Sequence, residues 1–558
     1  VLESALIPEA ELIKEYLGDP DDEIECPTPA QKLVFGETRR RIPELYDFDN
    51  PAMLGTVQNQ DSYMAGVAAQ RPFYFDHIQE LADIAMAEYN SLTGKDYRRA
   101  MGYRLEDAEY VLLGQGSVVE NAEAVVDHLR KTRGIKAGVL NLTMFRPFPT
   151  DLIAQMLRGK KAVTVLERLD QPLAVDAPLL RELRSAMGKA MENGRVQGDL
   201  PWPGVASIQP NEIPEFFSGS FGMGSRDLQP NDIVAAVDNM LPDGIGQRIY
   251  YLGIDFIRKN TRLPKLQIWQ DQLLEAYPNI ENLALTPGEA VDLLPEGSTC
   301  LRVHSIGGWG AITMGKNLAQ TAAELGGLHI KANPKYGSEK KGQPTTFYAT
   351  LAPDVIRTNC ELKNVDAVLS PDPNVFHHSN PLSGLRKGGI LIIQTDQEPA
   401  VFWNSLPRLT QQQIRDFEIS VHFLDGFKIA AEESSNENLR YRMQGTAFMG
   451  AFFKVSPLAG DLGEKELLAA IRKQLDKKFG HLGERVVEDN LRVIRRGYEE
   501  IQTLDLGALE DDGLKPVASQ RMPTAMEVGA TATDFASGGR FWEQVGHLYE
   551  SGEEGIAD

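Results

Sequence analysis

The sequence predicts a multidomain α/β protein: a parallel-sheet domain, a second α/β domain after it, and a helical end. Three observations carry that expectation. The chain has 558 residues, too many for one compact hydrophobic core. Two separate series of short apolar runs alternate with helical stretches, the pattern of βαβ units. Residues 464–505 then turn charged and helically periodic.

Taken in order, residues 1–107 read as mostly helical, with loops at Gly18-Asp19-Pro20 and around Pro51. Between Pro72 and Gly94, Phe75, Ile78, Leu81, Ile84 and Ala85 recur at three-to-four spacing. That spacing predicts an amphipathic helix, ended by Thr93-Gly94. Strands follow at Tyr110–Leu113, Gly138–Leu142 and Ala162–Leu166, separated by helices at Val119–Arg130 and Asp151–Leu157. Arg146-Pro-Phe-Pro149 reads as a rigid helix entry with Phe148 in the core. Arg248–Gly253 adds a late strand to this domain. The second series starts near residue 284, with strands at Thr299–His304, Leu328–Ala332, Thr346–Leu351, Ala367–Ser370, Ile390–Gln394 and Glu418–Phe423. Residues 506–558 lose the pattern and end acidic, as a linker or wrapping arm would. The expected divisions are therefore 1–107, 108–283, 284–505 and 506–558, and no repeat of short fixed period is visible.

The 42% hydrophobic content is that of an ordinary globular protein. With 79 acidic against 57 basic side chains, the net charge is -22, which disfavours nucleic acid as a partner. No apolar run approaches the roughly 20 residues that span a bilayer, so no membrane association is expected. The start, Val-Leu-Glu-Ser-Ala, has no basic segment before an apolar stretch, so it does not read as a signal peptide and the cytoplasm is the expected compartment. It also lacks an initiator Met, which suggests processing or a missing upstream segment. The cysteines are Cys26, Cys300 and Cys360. Three scattered thiols do not supply the four thiolates of an iron–sulfur cubane.

Gly307-Gly-Trp-Gly310 follows a strand and opens a helix. A glycine-rich turn there presents free N–H groups and the positive end of the helix dipole, which suits phosphate. Gly310-x-x-x-x-Gly315-Lys316 mimics a nucleotide P-loop, but Asn317 stands where the motif needs a magnesium-binding hydroxyl. The plainer reading is a tight turn that binds nothing. Against it stands the stretch 331–344, which carries Lys331, Lys335, Lys340 and Lys341 in a very acidic protein. In a parallel sheet, this loop and the glycine turn leave the carboxyl ends of adjacent strands, the edge where ligands bind. A solvated charged loop is the alternative. Gly114-x-Gly116-Ser117 is a similar turn, but Asn141 and Leu142 end the next strand where a dinucleotide site needs an acid. His377-His378 reads as a surface pair, since adjacent side chains point apart. Gly55 to Asp61 is polar and either faces a site or caps a helix.

Four segments in consistent order resemble the pyruvate:ferredoxin oxidoreductase family. Gly55-Thr-Val-Gln-Asn-Gln-Asp-Ser-Tyr63 resembles its G-T-A-Q-N-P-D-x-Y segment near the end of the first, pyrimidine-type domain. Gly114–Glu123 followed by Leu142–Pro149 is similar to its second domain, of transketolase C-terminal type, and Gly222–Pro230 fits the later part of that domain. Gly307–Gly310 with Tyr336–Gly342 resembles the third, or gamma, domain, which in this family contacts coenzyme A. The resemblance covers roughly residues 1–505.

What the resemblance implies is a 2-oxoacid:ferredoxin oxidoreductase, which decarboxylates a 2-oxo acid such as pyruvate on thiamine diphosphate. Coenzyme A takes the acyl group, and electrons leave through [4Fe-4S] clusters to ferredoxin or flavodoxin. This chain has no G-D-G-type metal–pyrophosphate motif and no cysteine-rich module. Thiamine diphosphate, its magnesium and the clusters are thus expected on other domains or subunits of a dimeric complex, and this chain alone is expected to be inactive. By resemblance, Gly307, Gly308, Trp309 and Gly310 face coenzyme A, and Lys340 and Lys341 meet its phosphates. Trp309 replaces a smaller residue found in much of the family, and either stacks on the ligand or packs. No catalytic residue and no metal ligand is assigned. The rival reading is a non-catalytic assembly subunit that kept the fold and lost the ligand; a nucleotide-dependent ligase is weakened by Asn317.

Overall fold

The computed structural model describes residues 9–42, 48, 57–254, 264–336, 342–406, 408–434, 440–459 and 464–507. They fall into two compact units, one of residues 1–252 with 287–289, the other of 253–286 with 290–558.

The first unit opens with α1 (Ala10–Leu17), β1 (Glu23–Glu25), α2 (Pro29–Phe35) and β2 (Thr38–Arg40), where β1 and β2 form an antiparallel pair. Next comes α3 (Gln60–Thr93), capped by the Asn59 side chain, which accepts from the Ser62 N–H at 2.8 Å. The polar segment before it therefore caps a helix, with Gly55 and Thr56 outside the described residues. The helix starts twelve residues before the expected Pro72 and runs through that proline. Pro72 has no N–H to give the Ala68 carbonyl, and that carbonyl lies on an exposed stretch, where the missing bond costs less than in a core. The end at Gly94, in the left-handed conformation, is as expected.

The six-stranded sheet of this unit comprises β3 (Ala100–Tyr103), β4 (Tyr110–Gly114), β5 (Ala137–Leu142), β6 (Ala162–Glu167), β7 (Glu215–Ser220) and β8 (Ile249–Tyr251), in the order β3-β5-β4-β6-β7-β8. All run parallel except β3. Between them lie α4 (Val118–Arg133), α5 (Thr150–Leu157), α6 (Pro178–Gly194) and α7 (Pro230–Met240). Leucines and valines of β4 and β6 share one core with α5, α6 and Phe148, as the sequence suggested for Phe148. Besides the short β1–β2 pair in a region expected to be mostly helical, two strands of this sheet, β3 and β7, depart from the expectation. β3 lies before the boundary drawn at 107/108 yet pairs with β5, so the sheet begins at Ala100. Arg99 fixes it there, donating to Asp151 and Asp83 at 2.9–3.0 Å from a buried position.

The second unit includes α8 (Pro264–Ala276), β9 (Thr299–Ile306), α9 (Ala311–Gly326), β10 (His329–Tyr336), β11 (Pro344–Ala352), β12 (Val365–Ser370), α10 (Val375–His378) and β13 (Leu385–Gln394). It continues with α11 (Pro399–Ser405), α12 (Arg408–Asp416), β14 (Ser420–Leu424), α13 (Gly426–Glu433), α14 (Arg440–Val455), α15 (Glu464–Phe479), α16 (Glu484–Glu500) and β15 (Gln502–Thr503). Every predicted strand of this series is present. The sheet order is β10-β11-β9-β12-β13-β14-β15. It is mixed rather than parallel: β9, β12, β13 and β14 run one way, and β11 lies antiparallel between β9 and β10. β9 and β10 are thus not adjacent, but β10 runs in the same sense as β9, so their carboxyl ends share one edge. β10 ends at Tyr336 and β11 starts at Pro344, a separation too short for a crossover helix, which is why the pairing is antiparallel.

One face of this sheet packs on α9, α14, α15 and α16 around Phe347, Phe448, Phe452 and Ile494. The other carries Cys300, Val368, Leu391 and Trp403. α14 and α16 cross at glycines. A Cβ at Gly450 would collide with the Ile494 carbonyl, and one at Gly497 with the Ala447 carbonyl. Both neighbours are backbone and cannot step aside. Gly497→Val is therefore expected to destabilise this unit by about 1–3 kcal/mol or more, read as a lowered denaturant midpoint. An unchanged midpoint would show that the helices separate freely.

Candidate functional site at the carboxyl edge of the second sheet

The turn between β9 and α9 is built for close approach of backbone. Gly308 and Gly310 have φ of 99° and 85°, a region where a side chain is strained. Gly310 is the N-cap of α9, and no side chain caps that helix. The first-turn N–H groups of α9 therefore point outward without a protein side-chain acceptor. Gly307 donates its N–H to the Gln343 carbonyl at 2.8 Å and accepts from the Gly342 N–H at 2.9 Å. The turn and the base of the β10–β11 connection are thus held together at one rim.

Lys340 and Lys341 lie outside the described residues. The four lysines do not share one loop: Lys331 and Lys335 stand within β10, and Lys335 pairs with Glu361 at 3.0 Å. Glu361 also accepts from the Tyr348 hydroxyl at 2.9 Å. Trp309 packs edge-on against Phe427, ring centroids 5.4 Å apart, which favours the packing alternative. Gly315 has a structural cause, since a Cβ there would strike the Phe347 ring. Asn317 is buried. The P-loop likeness is thus a packing coincidence. Gly114 is likewise a packing glycine, its would-be Cβ 2.9 Å from Val118.

A cleft of about 860 Å³ opens at the same edge, beyond the ends of β12, β13 and β14. The sequence reading missed it. Its three walls are the connections Pro373–His377, Thr395–Leu406 and Asp425–Ala431. The available signal was the turn chemistry immediately after three predicted strands: Pro-Asp-Pro-Asn, Thr-Asp-Gln and Asp-Gly. Gln394, buried at the end of β13, donates to Asp425 at 3.1 Å and accepts from the Gly426 N–H at 2.8 Å. Asp425 also accepts from the Lys428 N–H at 3.1 Å, so its carboxylate caps α13. Phe427, which lines the cleft, is the ring that Trp309 meets, so turn and cleft are contiguous.

His377 and His378 are both exposed, as expected of a surface pair, and His378 Nε2 lies 2.6 Å from Asp372, a carboxylate 1% exposed. His304 on β9 is buried, with Nδ1 3.5 Å from Ser379 Oγ and Nε2 unpartnered. Burial, then the positive charges of Arg302 and His378, push its pKa down to about 3. The unfolded chain protonates this histidine below about 6.5 and the folded one does not. Stability from His304 is full above about 6.5 and is lost as pH falls towards 3. His304→Asn should flatten the fall in unfolding free energy over that window; an unchanged slope would contradict the assignment.

Among the described residues, no group of three or more His, Cys, Asp or Glu side chains is placed to hold a metal ion. Cys300 is a buried thiol pushed up to about 11 by burial and Asp366, far from a thiolate ligand. Among the described residues, no helix is long and apolar enough to cross a membrane.

Two mixed sheets flanked by helices, the second with a glycine turn at its carboxyl edge, define a multidomain α/β protein. Two family models match it in order. Residues 108–198 match the pyruvate:ferredoxin oxidoreductase core domain II, and residues 300–500 match the pyruvate ferredoxin/flavodoxin oxidoreductase model. The chain belongs to the pyruvate:ferredoxin/flavodoxin oxidoreductase family. A probable pyruvate-flavodoxin oxidoreductase of Escherichia coli is 24% identical over 90% of this chain and 39% of its own length. The pyruvate-flavodoxin oxidoreductase of Klebsiella pneumoniae is 25% identical over 90% and 40%. The chain therefore spans about two fifths of the length of these relatives. Among solved structures, a pyruvate oxidoreductase subunit of Thermotoga maritima is 24% identical over 37% of this chain and 99% of that one, with a TM-score of 0.29.

Proposed function

We propose that this chain is the part of a 2-oxoacid:ferredoxin or flavodoxin oxidoreductase that supplies scaffold and coenzyme A contacts. The whole enzyme would oxidatively decarboxylate a 2-oxo acid such as pyruvate to its acyl-CoA in the cytoplasm. Thiamine diphosphate with magnesium and [4Fe-4S] clusters, on other domains or subunits of a dimeric complex, would supply the decarboxylation and the electron path. Family membership supports that reading.

The observation that carries the coenzyme A role is the mutual hydrogen bonding of Gly307 with Gly342 and Gln343. It holds Gly342 and Gln343, which directly follow Lys340 and Lys341 in the sequence, beside the uncapped start of α9. Amide donors, a helix dipole and two ammonium groups would then converge on one anion, each strengthening the others at short range. In an acidic protein such a cationic spot is a selective one for a phosphorylated carrier.

In the assembled enzyme, replacing Lys340 and Lys341 together by Ala is expected to raise the KM for coenzyme A about tenfold or more, with kcat little changed. That is the signature of lost uniform binding. An unaltered KM would remove the lysines from the site.

A further inference from the structure

We propose that the cleft beyond β12, β13 and β14 receives the uncharged pantetheine arm of coenzyme A, while the phosphates stay outside it at the glycine turn. The inference rests on the coenzyme A reading above and concerns how that ligand divides between two neighbouring places.

Charge makes the division. The start of α9 has no side-chain cap, so its dipole is open to an anion. The start of α13 is already occupied by the Asp425 carboxylate. Asp396 adds a second carboxylate to the cleft, against the single ammonium of Lys428. A pyrophosphate entering there would meet like charge and a filled helix terminus. Phosphates are therefore directed to the turn and excluded from the cleft.

The cleft instead suits an uncharged chain that is both apolar and rich in hydrogen-bonding groups. Phe376, Phe402 and Phe427 supply apolar wall, and Asn374, Gln397 and Asn404 supply amides. Pantetheine carries two secondary amides, a hydroxyl and a geminal dimethyl group on a flexible chain that ends in a thiol. Buried amides need partners, and side-chain amides both donate and accept. The dimethyl group needs apolar contact, which the rings give. Trp309 against Phe427 joins the two places, so one ligand can pass from turn to cleft without leaving the protein surface.

The test uses the assembled enzyme containing the full chain and compares coenzyme A with adenosine 3′,5′-bisphosphate, which keeps phosphates and lacks the arm. Asn404→Trp puts an indole into the cleft from an exposed position near the end of the Thr395–Leu406 wall, and Gln397→Trp does so from the exposed start of the same wall. Thermal unfolding establishes that each variant is folded. Either variant should weaken coenzyme A about tenfold or more, a loss of roughly 1.4 kcal/mol, and leave the bisphosphate within about twofold. Coenzyme A bound equally by parent and both folded variants would overturn the assignment of the cleft alone. A loss of the bisphosphate with either variant would overturn it by placing the nucleotide there. If the parent enzyme bound neither compound, the coenzyme A reading itself would fall, and this inference with it.

Discussion

Gly307 both donates to Gln343 and accepts from Gly342, so the connection after β9 and the connection after β10 are fixed to each other. These two hydrogen bonds are the hinge of the structural account. β9 and β10 are separated in the sheet by β11, and without a direct tie their ends would sit a full strand spacing apart on each side of it. The tie depends on Gly308, Gly310 and Gly342 taking backbone conformations that other residues resist. The core beneath keeps the turn in place: Gly315 lets α9 lie directly on Phe347 of β11, α14 and α15 pack on α9, and α16 holds α14 through the glycine crossing.

From that tie follows the electrostatic character of the rim. One helix terminus is left open and the next is filled by a carboxylate, and the two are bridged by Trp309 on Phe427. In an acidic protein, anion binding has to be local, because the mean field opposes it. The arrangement concentrates donors at one spot and places acids a few residues away. On the proposed reading, that gradient orients a ligand with one charged and one neutral end. His378 is tied to the buried Asp372 carboxylate in the connection after β12, and the buried His304 on β9 makes the same unit sensitive to acid.

Much of this was legible in the sequence, and the reasons for what was not are physical. The six strands of the second series were readable because each is a short apolar run bounded by turn residues. Their directions were not, since periodicity reports burial and not which neighbour a strand pairs with; nothing in Thr346–Leu351 marks β11 as antiparallel to both its neighbours. β3 was hidden because Ala-Met-Gly-Tyr is a weak strand former held by Arg99 and pairing partners far away in sequence. β7 was hidden by Ser218, Gly219 and Ser220, where Gly219 is required by the Tyr250 ring rather than by strand propensity. At the site, the glycine turn stood out, but a glycine that serves packing and one that serves binding look alike: Gly315 and Gly310 are told apart only by what lies above them. The cleft was invisible because its walls come from three connections that only the sheet order brings side by side.

The most direct measurement of the central claim is amide hydrogen exchange of the full enzyme with and without coenzyme A. The account predicts slowed exchange at residues 308–313 and across 340–343, with slowed exchange also at 425–428. Unchanged exchange at the turn, with protection by coenzyme A confined to the first unit, would contradict it.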